Sequence, residues 1–300
     1  MKWKPIFWGG LISLACTTGG VAQDDMSQVE IETIPVAENI YMLVGSGGNI
    51  GLCIGEDAVF MIDDQFAPLS GKIMAAIREL SPAPLKVLLN THWHYDHTGG
   101  NENFGEAGAT IIAQDNVYER MSTEQKTPRS DEITPPSPRA ALPIITYANE
   151  ATVHLCGYTI QAKRVGPAHT DGDTVVHFVE ADVYHMGDTY FSGFYPFFDQ
   201  QSGGDFNGMV ANAKDYAAKI SASAKIIPGH GPLSTRVDLA KYAEVLEVIR
   251  DRFAAAIKDG KSLEEVKAMN LTKDFDEEWG GGFLTPSDFV ELAYASLSAR

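Results

Sequence analysis

Three histidines and an aspartate fall within six residues, His92-Trp93-His94-Tyr95-Asp96-His97, directly after the apolar residues Val87, Leu88 and Leu89. Neutral imidazole nitrogen and carboxylate oxygen are natural zinc ligands, and Cys is the one common zinc ligand missing from the stretch. The spacing limits how the four side chains can meet. On a helix His94 and His97 share a face, but His92 and His94 diverge. On a strand His92 and His94 share a face, but Asp96 and His97 point to opposite sides. Convergence therefore requires the chain to turn, and Thr98-Gly99-Gly100-Asn101 supplies turn residues directly afterwards. The stretch reads as a strand-end loop wrapped around metal.

The pattern His-x-His-x-Asp-His resembles the signature of the metallo-β-lactamase superfamily. Three later segments, in order, resemble its remaining motifs: His169 in Gly166-Pro167-Ala168-His169-Thr170-Asp171-Gly172-Asp173, Asp188 in His185-Met186-Gly187-Asp188-Thr189, and His230 in Pro228-Gly229-His230-Gly231-Pro232. Taken singly, each would more often be a loop residue with no ligand role. The resemblance implies that His92, His94 and His169 hold one Zn2+, that Asp96, His97 and His230 hold a second, and that Asp188 bridges them. It also implies a supporting carboxylate at Asp63, which the sequence alone reads equally well as a turn residue in Asp63-Asp64. His185, three residues before Asp188, is a further supporting candidate.

Two zinc ions about 3.5–4 Å apart lower the pKa of a shared water to about 7, so a metal-bound hydroxide becomes available to attack an amide or ester carbonyl. Asp96 could orient that nucleophile or relay its proton. The chain has no Gly-x-Ser-x-Gly elbow, so no serine nucleophile is called for. The expected activity is metal-dependent hydrolysis of a small molecule, β-lactamase-like and promiscuous. Two departures turn away from an efficient β-lactamase. Family β-lactamases usually carry Cys or Ser where this chain has Asp188, and none of Lys214, Lys219 and Lys225 is an obvious anchor for a drug carboxylate. A lactonase, esterase or thioesterase is the alternative, and a non-catalytic metal-binding protein on the same scaffold is a third reading. Glyoxalase II implies a basic C-terminal segment, whereas 261–300 is acid-rich; flavin-linked diiron relatives imply Glu where this chain has His94.

The elements that must position these residues alternate in style. Segments 40–44, 50–54 and 58–62 are apolar and β-prone, and helical spacing follows over 68–80. A strand at 86–90 delivers the histidine cluster, and 109–113 and 116–121 read as strand and helix. Residues 127–143 contain five prolines and read as a long surface loop. Strands are expected at 152–155, 158–165, 174–179, 183–186 and 225–227, with a helix at 208–220. A helix over 236–258 has a cap in Thr235 and Asp238, and 262–269 and 286–298 read as terminal helices. The aromatic run 190–198 either walls a substrate pocket or packs beneath a sheet edge. The resemblance implies an α/β fold, a four-layer αββα sandwich over residues 23–300, with the metals at one edge between the sheets.

Composition narrows the partners. The net charge of −17, from 40 acidic and 23 basic residues, disfavours nucleic acid, whose binding relies on Lys and Arg neutralising phosphates. Residues 1–22 read as a secretory signal, with Lys2 and Lys4, an apolar run over 6–15 and small residues before Gln23. That run is too short to span a bilayer. An exported, periplasmic protein is expected, with lipidation at Cys16 as the second reading. Cys53 and Cys156 lie in apolar segments without metal-site spacing and read as free buried thiols.

Overall fold

In the computed structural model, which describes residues 26–126 and 132–299, the apolar segments form two sheets that bury both of their faces. The expected signal segment 1–22 and Cys16 lie outside the described residues. The first sheet has seven strands in the order Glu32–Ala37, Ile40–Val44, Ile50–Ile54, Val59–Ile62, Leu85–Leu89, Thr110–Gln114 and Ile145–Tyr147. The second has six, in the order Glu150–Leu155, Tyr158–Arg164, Thr174–Phe178, Val183–His185, Lys225–Ile227 and Ser234–Thr235. Each sheet is therefore built from one contiguous stretch of chain.

Alternation along the strands assigns the layers. Phe60 and Ile62 point inward and meet Phe178 and Val183 of the second sheet; Phe60 and Phe178 pack edge to face. Val59 and Met61 point outward onto Ile73 and Ile77 of the helix Ser70–Leu80. On the far side Ile227 faces inward, while Ile226 faces outward into a core shared with Phe206, Leu246 and Phe289. The helices Phe206–Lys219, Arg236–Lys258 and Pro286–Ser298 supply that outer layer. Helix, sheet, sheet, helix is the expected four-layer order.

Two crossovers decide where chemistry can occur. Ser70–Leu80 connects the parallel strands Val59–Ile62 and Leu85–Leu89, and Phe206–Lys219 connects the parallel strands Val183–His185 and Lys225–Ile227. The carboxyl ends of such strands open onto loops free of packing duty, the usual place for a ligand in sheets of this kind. Asp63, His92, Asp188 and His230 all follow these four ends.

Some boundaries depart from the sequence reading. The strand Glu32–Ala37 carries Pro35, which an edge strand tolerates. Within the expected loop 127–143, Ile133–Thr134 pairs with Gln125–Lys126. A short helix, Lys273–Trp279, precedes the last one. The cap of Arg236–Lys258 is a reciprocal box between Thr235 and Asp238, worth about 1 kcal/mol. Cys53 and Cys156 are free thiols. No helix among the described residues is long and apolar enough to cross a membrane.

Candidate metal centre

The histidine cluster is not an irregular loop. After His92 leaves its strand, Tyr95–Thr98 forms a single helical turn, with His97 and Thr98 both donating backbone N–H to the His94 carbonyl at 3.0 and 3.1 Å. The Thr98 hydroxyl donates to the same carbonyl. An extended residue pair followed by one helical turn lets strand-like and helix-like spacings converge.

The other ligand candidates arrive on braced turns. The Asp173 carboxylate accepts from the His169 and Thr170 backbone N–H groups at 2.7 and 2.9 Å, and from the Thr170 hydroxyl, which fixes the His169 loop. Asp188 sits in the tight turn Gly187–Thr189, where Gly187 takes φ 50°. His230 is bridged to Phe191, and Asn49 from the other sheet donates to the carbonyls of Pro228 and Gly231 on either side of it.

All seven candidates meet. His92, His94 and His169 bring ligand atoms within 4.8 Å of one another, as do His92, His97 and Asp188, and also Asp96, His97 and His230. The Asp188 carboxylate lies 3.1 Å from His97 Nε2, 3.5 Å from both His169 Nε2 and His230 Nε2, and 3.9 Å from His92 Nε2. Asp96 Oδ2 is 3.2 Å from His230 Nε2. Four more residues contact this centre from behind. Asp63 accepts from His97 Nδ1–H at 2.8 Å and from the Thr91 hydroxyl at 2.7 Å. Because Thr91 donates there, its oxygen is left to accept from His92 Nδ1–H at 3.0 Å. Asp199 lies 3.2 Å from His94 Nε2, and the Phe197 carbonyl accepts from His169 Nδ1–H at 2.9 Å. Asp63 holds φ 60°, a left-handed backbone that is strained for a residue with a side chain. His185 bonds the Asn49 carbonyl and the Gly187 N–H, so it steadies two loops rather than a ligand side chain.

The charges are mutually compensating. Burial alone would raise the Asp188 carboxyl, but the imidazoles of His230, His97 and His169 outweigh it and hold it well below the usual range. Asp96 is likewise depressed against burial by His97 and His230. Burial opposes protonation of His97 and His230, yet the surrounding carboxylates win: His97 is raised, and His230 is pushed up to about 9. His92 and His169 respond mainly to burial and stay neutral, His169 being lowered to about 4.

This donor set fits metal. Each of His92, His94, His97 and His169 has one ring nitrogen engaged by a partner behind it. The opposite nitrogens face one another: His169 Nε2 lies 2.7 Å from His94 Nδ1, and His97 Nε2 lies 3.3 Å from His230 Nε2. His92 Nε2 and Asp188 Oδ1 are buried with no hydrogen-bond partner among the described residues. Buried polar atoms left this way are costly unless something else coordinates them, and tethering the far nitrogen is how metal-binding imidazoles are oriented.

Asp199, Thr91 and Asn49 escaped sequence reasoning. Asp199 sits at the end of an aromatic run, and its local signal, a carboxylate capping Gln201 and accepting from Ser202, suggests only a turn. The aromatic run itself divides: Tyr190, Tyr195 and Phe198 are buried in the outer core, while Phe191, Phe194 and Phe197 line a cavity above the centre.

A sequence profile described as the Metallo-beta-lactamase superfamily matches residues 43–230. A hydroxyacylglutathione hydrolase from Polaromonas sp. (strain JS666 / ATCC BAA-500) is 23% identical over 164 residues, 54% of this chain and 55% of that protein. Another, from Erythrobacter litoralis (strain HTCC2594), is 30% identical over 104 residues, 34% of this chain and 33% of that protein. The matches span about half or less of these relatives. Among solved structures, a metallo-beta-lactamase from Pontibacter korlensis superposes with a TM-score of 0.59 at 15% identity, over 73% of this chain and 99% of its own. The sec-alkylsulfatase Pisa1 from Pseudomonas sp. gives 0.69 at 14% identity, over 88% of this chain and 50% of its own. At such identities the structures share the fold.

Proposed function

The chain belongs to the metallo-β-lactamase superfamily, and from that premise we propose that it is a dinuclear zinc hydrolase of amides or esters. The observation that carries the reading is Asp188, which lies within 3.1–3.9 Å of four imidazole nitrogens drawn from both donor sets. His92, His94 and His169 would hold one ion, and Asp96, His97 and His230 the other, with Asp188 between them. When bound, two zinc ions lower the pKa of a shared water and polarise a substrate carbonyl.

The chain's own groups do the rest. Asp63 and Thr91 keep His97 and His92 in the tautomer that presents Nε2 to the centre. From the opposite side, the Phe197 carbonyl holds His169 with Nε2 toward the centre, whereas Asp199 engages Nε2 of His94 and leaves its Nδ1 to face the centre. Asp96, with 29% of its side chain exposed, is the more exposed of the two carboxylates, Asp96 and Asp188, that face both the centre and the cavity. It can take a proton from the attacking water and return it to the leaving group.

A lactonase or esterase without useful β-lactamase activity is the second reading, favoured by Asp188 itself. A glutathione thioesterase gains less support, since Lys261, just before the helix Leu263–Met269, and Lys267 within it are already paired with Glu265 and Glu291. Elemental analysis after zinc supplementation tests the central claim. About two metals per chain supports it; fewer than one defeats it and leaves a scaffold without this chemistry. A panel of nitrocefin, lactones and thioesters separates the two hydrolytic readings. We further propose export directed by residues 1–22, checked by whether the mature protein begins at Gln23.

A further inference from the structure

A cavity of about 870 Å³ opens above the donor cluster, and its walls are mainly apolar and rich in aromatic rings. Phe66 and Tyr95 form one ring pair 5.7 Å apart, and Phe197 and Phe283 form another at 5.8 Å. Phe194 completes the lining between the sheet edge and the C-terminal helices. Tyr95 and Phe283 are 61% and 66% exposed. Large rings left in water around a concave apolar surface mark a binding site rather than a core. Phe283 also lies outside the matched residues 43–230.

The polar side of the cavity is as informative. Arg120 is the one Lys or Arg lining it among the described residues, and each of its three guanidinium nitrogens already donates a hydrogen bond. Nε and Nη2 donate to the two oxygens of Asp171 at 2.9 and 2.5 Å, and Nη1 donates to Gln125 at 3.2 Å. A substrate carboxylate would have to compete for a guanidinium whose charge Asp171 already pairs in bidentate fashion. The chain's charge of −17 repels an approaching anion as well.

On the hydrolase reading above, we infer that the pocket selects uncharged esters or lactones bearing an aromatic or long aliphatic acyl group, with Phe283, Phe194 and Tyr95 recognising that group. Water supplies OH to the acyl carbon, the carbon–oxygen single bond breaks, and the leaving alcohol takes the remaining hydrogen. The acid product ionises at neutral pH.

The test uses the full zinc-loaded protein and a matched pair of substrates, 4-nitrophenyl octanoate and mono-4-nitrophenyl suberate, which differ in a terminal carboxylate. The octanoate should have a kcat/KM about tenfold higher or more, as hydrophobic pockets discriminate on this scale. Phe283→Ala should lower the octanoate-to-acetate selectivity about fivefold, largely through KM, and Phe283→Leu should restore much of it. A readout independent of turnover is calorimetric binding of 4-phenyl-2-butanone, an uncharged ketone with no bond to hydrolyse, which should weaken about fivefold in Phe283→Ala. Equal or better use of the suberate, or unchanged ketone binding in Phe283→Ala, overturns the inference and leaves the hydrolase reading intact. No turnover of any ester, lactone, thioester or nitrocefin by protein holding two zinc ions defeats the hydrolase reading, and the inference with it; turnover of nitrocefin alone overturns only the inference.

Discussion

The Asp63 carboxylate lies 2.8 Å from Nδ1 of His97, with both side chains wholly shielded from solvent. That contact fixes which nitrogen of His97 faces the centre, and Thr91 extends the same constraint to His92. Asp63→Ala should therefore weaken zinc binding about 10–100-fold, the usual cost of removing such a supporting group. Competition with a chelator of known affinity measures it. Unchanged affinity would show that the imidazoles are held by packing alone.

Asp188 lies within 3.9 Å of imidazole nitrogens from both donor sets. Asp188→Ala should lower the metal content from about two per chain to about one and reduce kcat/KM by about a thousandfold or more. Elemental analysis beside a turnover assay reads both. Two metals retained would remove Asp188 from the ligand set.

Backbone approach offers a sharper probe than a ligand deletion. A Cβ at position 229 would fall 2.0 Å from Asp188 Oδ1 and 2.5 Å from the Gly187 carbonyl carbon. Gly229→Ala should displace the Asp188 turn and abolish binding of at least one zinc, with the far-UV spectrum kept. Gly71→Ala is the counterpart, since nothing lies within 4 Å of its Cβ in the helix Ser70–Leu80. It should leave metal content unchanged and stabilise the protein by about 0.5–1 kcal/mol.

The metal-free protein should have a stability maximum near pH 6.5. His230 is raised from 6.5 to about 9, and His97 is raised too, so their contribution is complete below 6.5 and is lost as pH rises through about 9. His169 is lowered to about 4 and His92 is lowered as well, so their contribution is present above 6.5 and is lost as pH falls toward 4. His230 keeps 24% of its side chain exposed, so solvent screens part of its attraction and softens the alkaline limb. Thermal melts in chelator should show Tm falling by about 5 °C on either side. His230→Gln should flatten the alkaline limb, and zinc should flatten it in the wild type.

Much of this molecule is legible in its sequence because the signals are local. The strands Ile40–Val44 and Ile50–Ile54 and the helix Arg236–Lys258 begin and end where their patterning and capping residues do. The donor residues stand out because histidine and aspartate recur beside glycine and proline at strand ends. Other features are tertiary and leave no local trace. The Tyr95–Thr98 turn is held by the His94 carbonyl, not by a helix-forming run. Asp199 meets His94 across 105 positions of chain, and Asn49 reaches Pro228 across 179. The strand Glu32–Ala37 hides behind Pro35 because only its position at a sheet edge makes proline acceptable.

Each sheet comes from one contiguous half of the chain, and neither half owns a complete donor set. His92 and His94 need His169, while Asp96 and His97 need His230. A zinc ion can be gripped fully only after the two halves have docked, so its uptake should time the closing step of folding rather than seed the first. In refolding from denaturant with zinc present, fluorescence reporting sheet closure should precede loss of signal from a zinc indicator, and adding zinc should slow unfolding more than it speeds folding. The centre would then act as a latch on a nearly finished molecule.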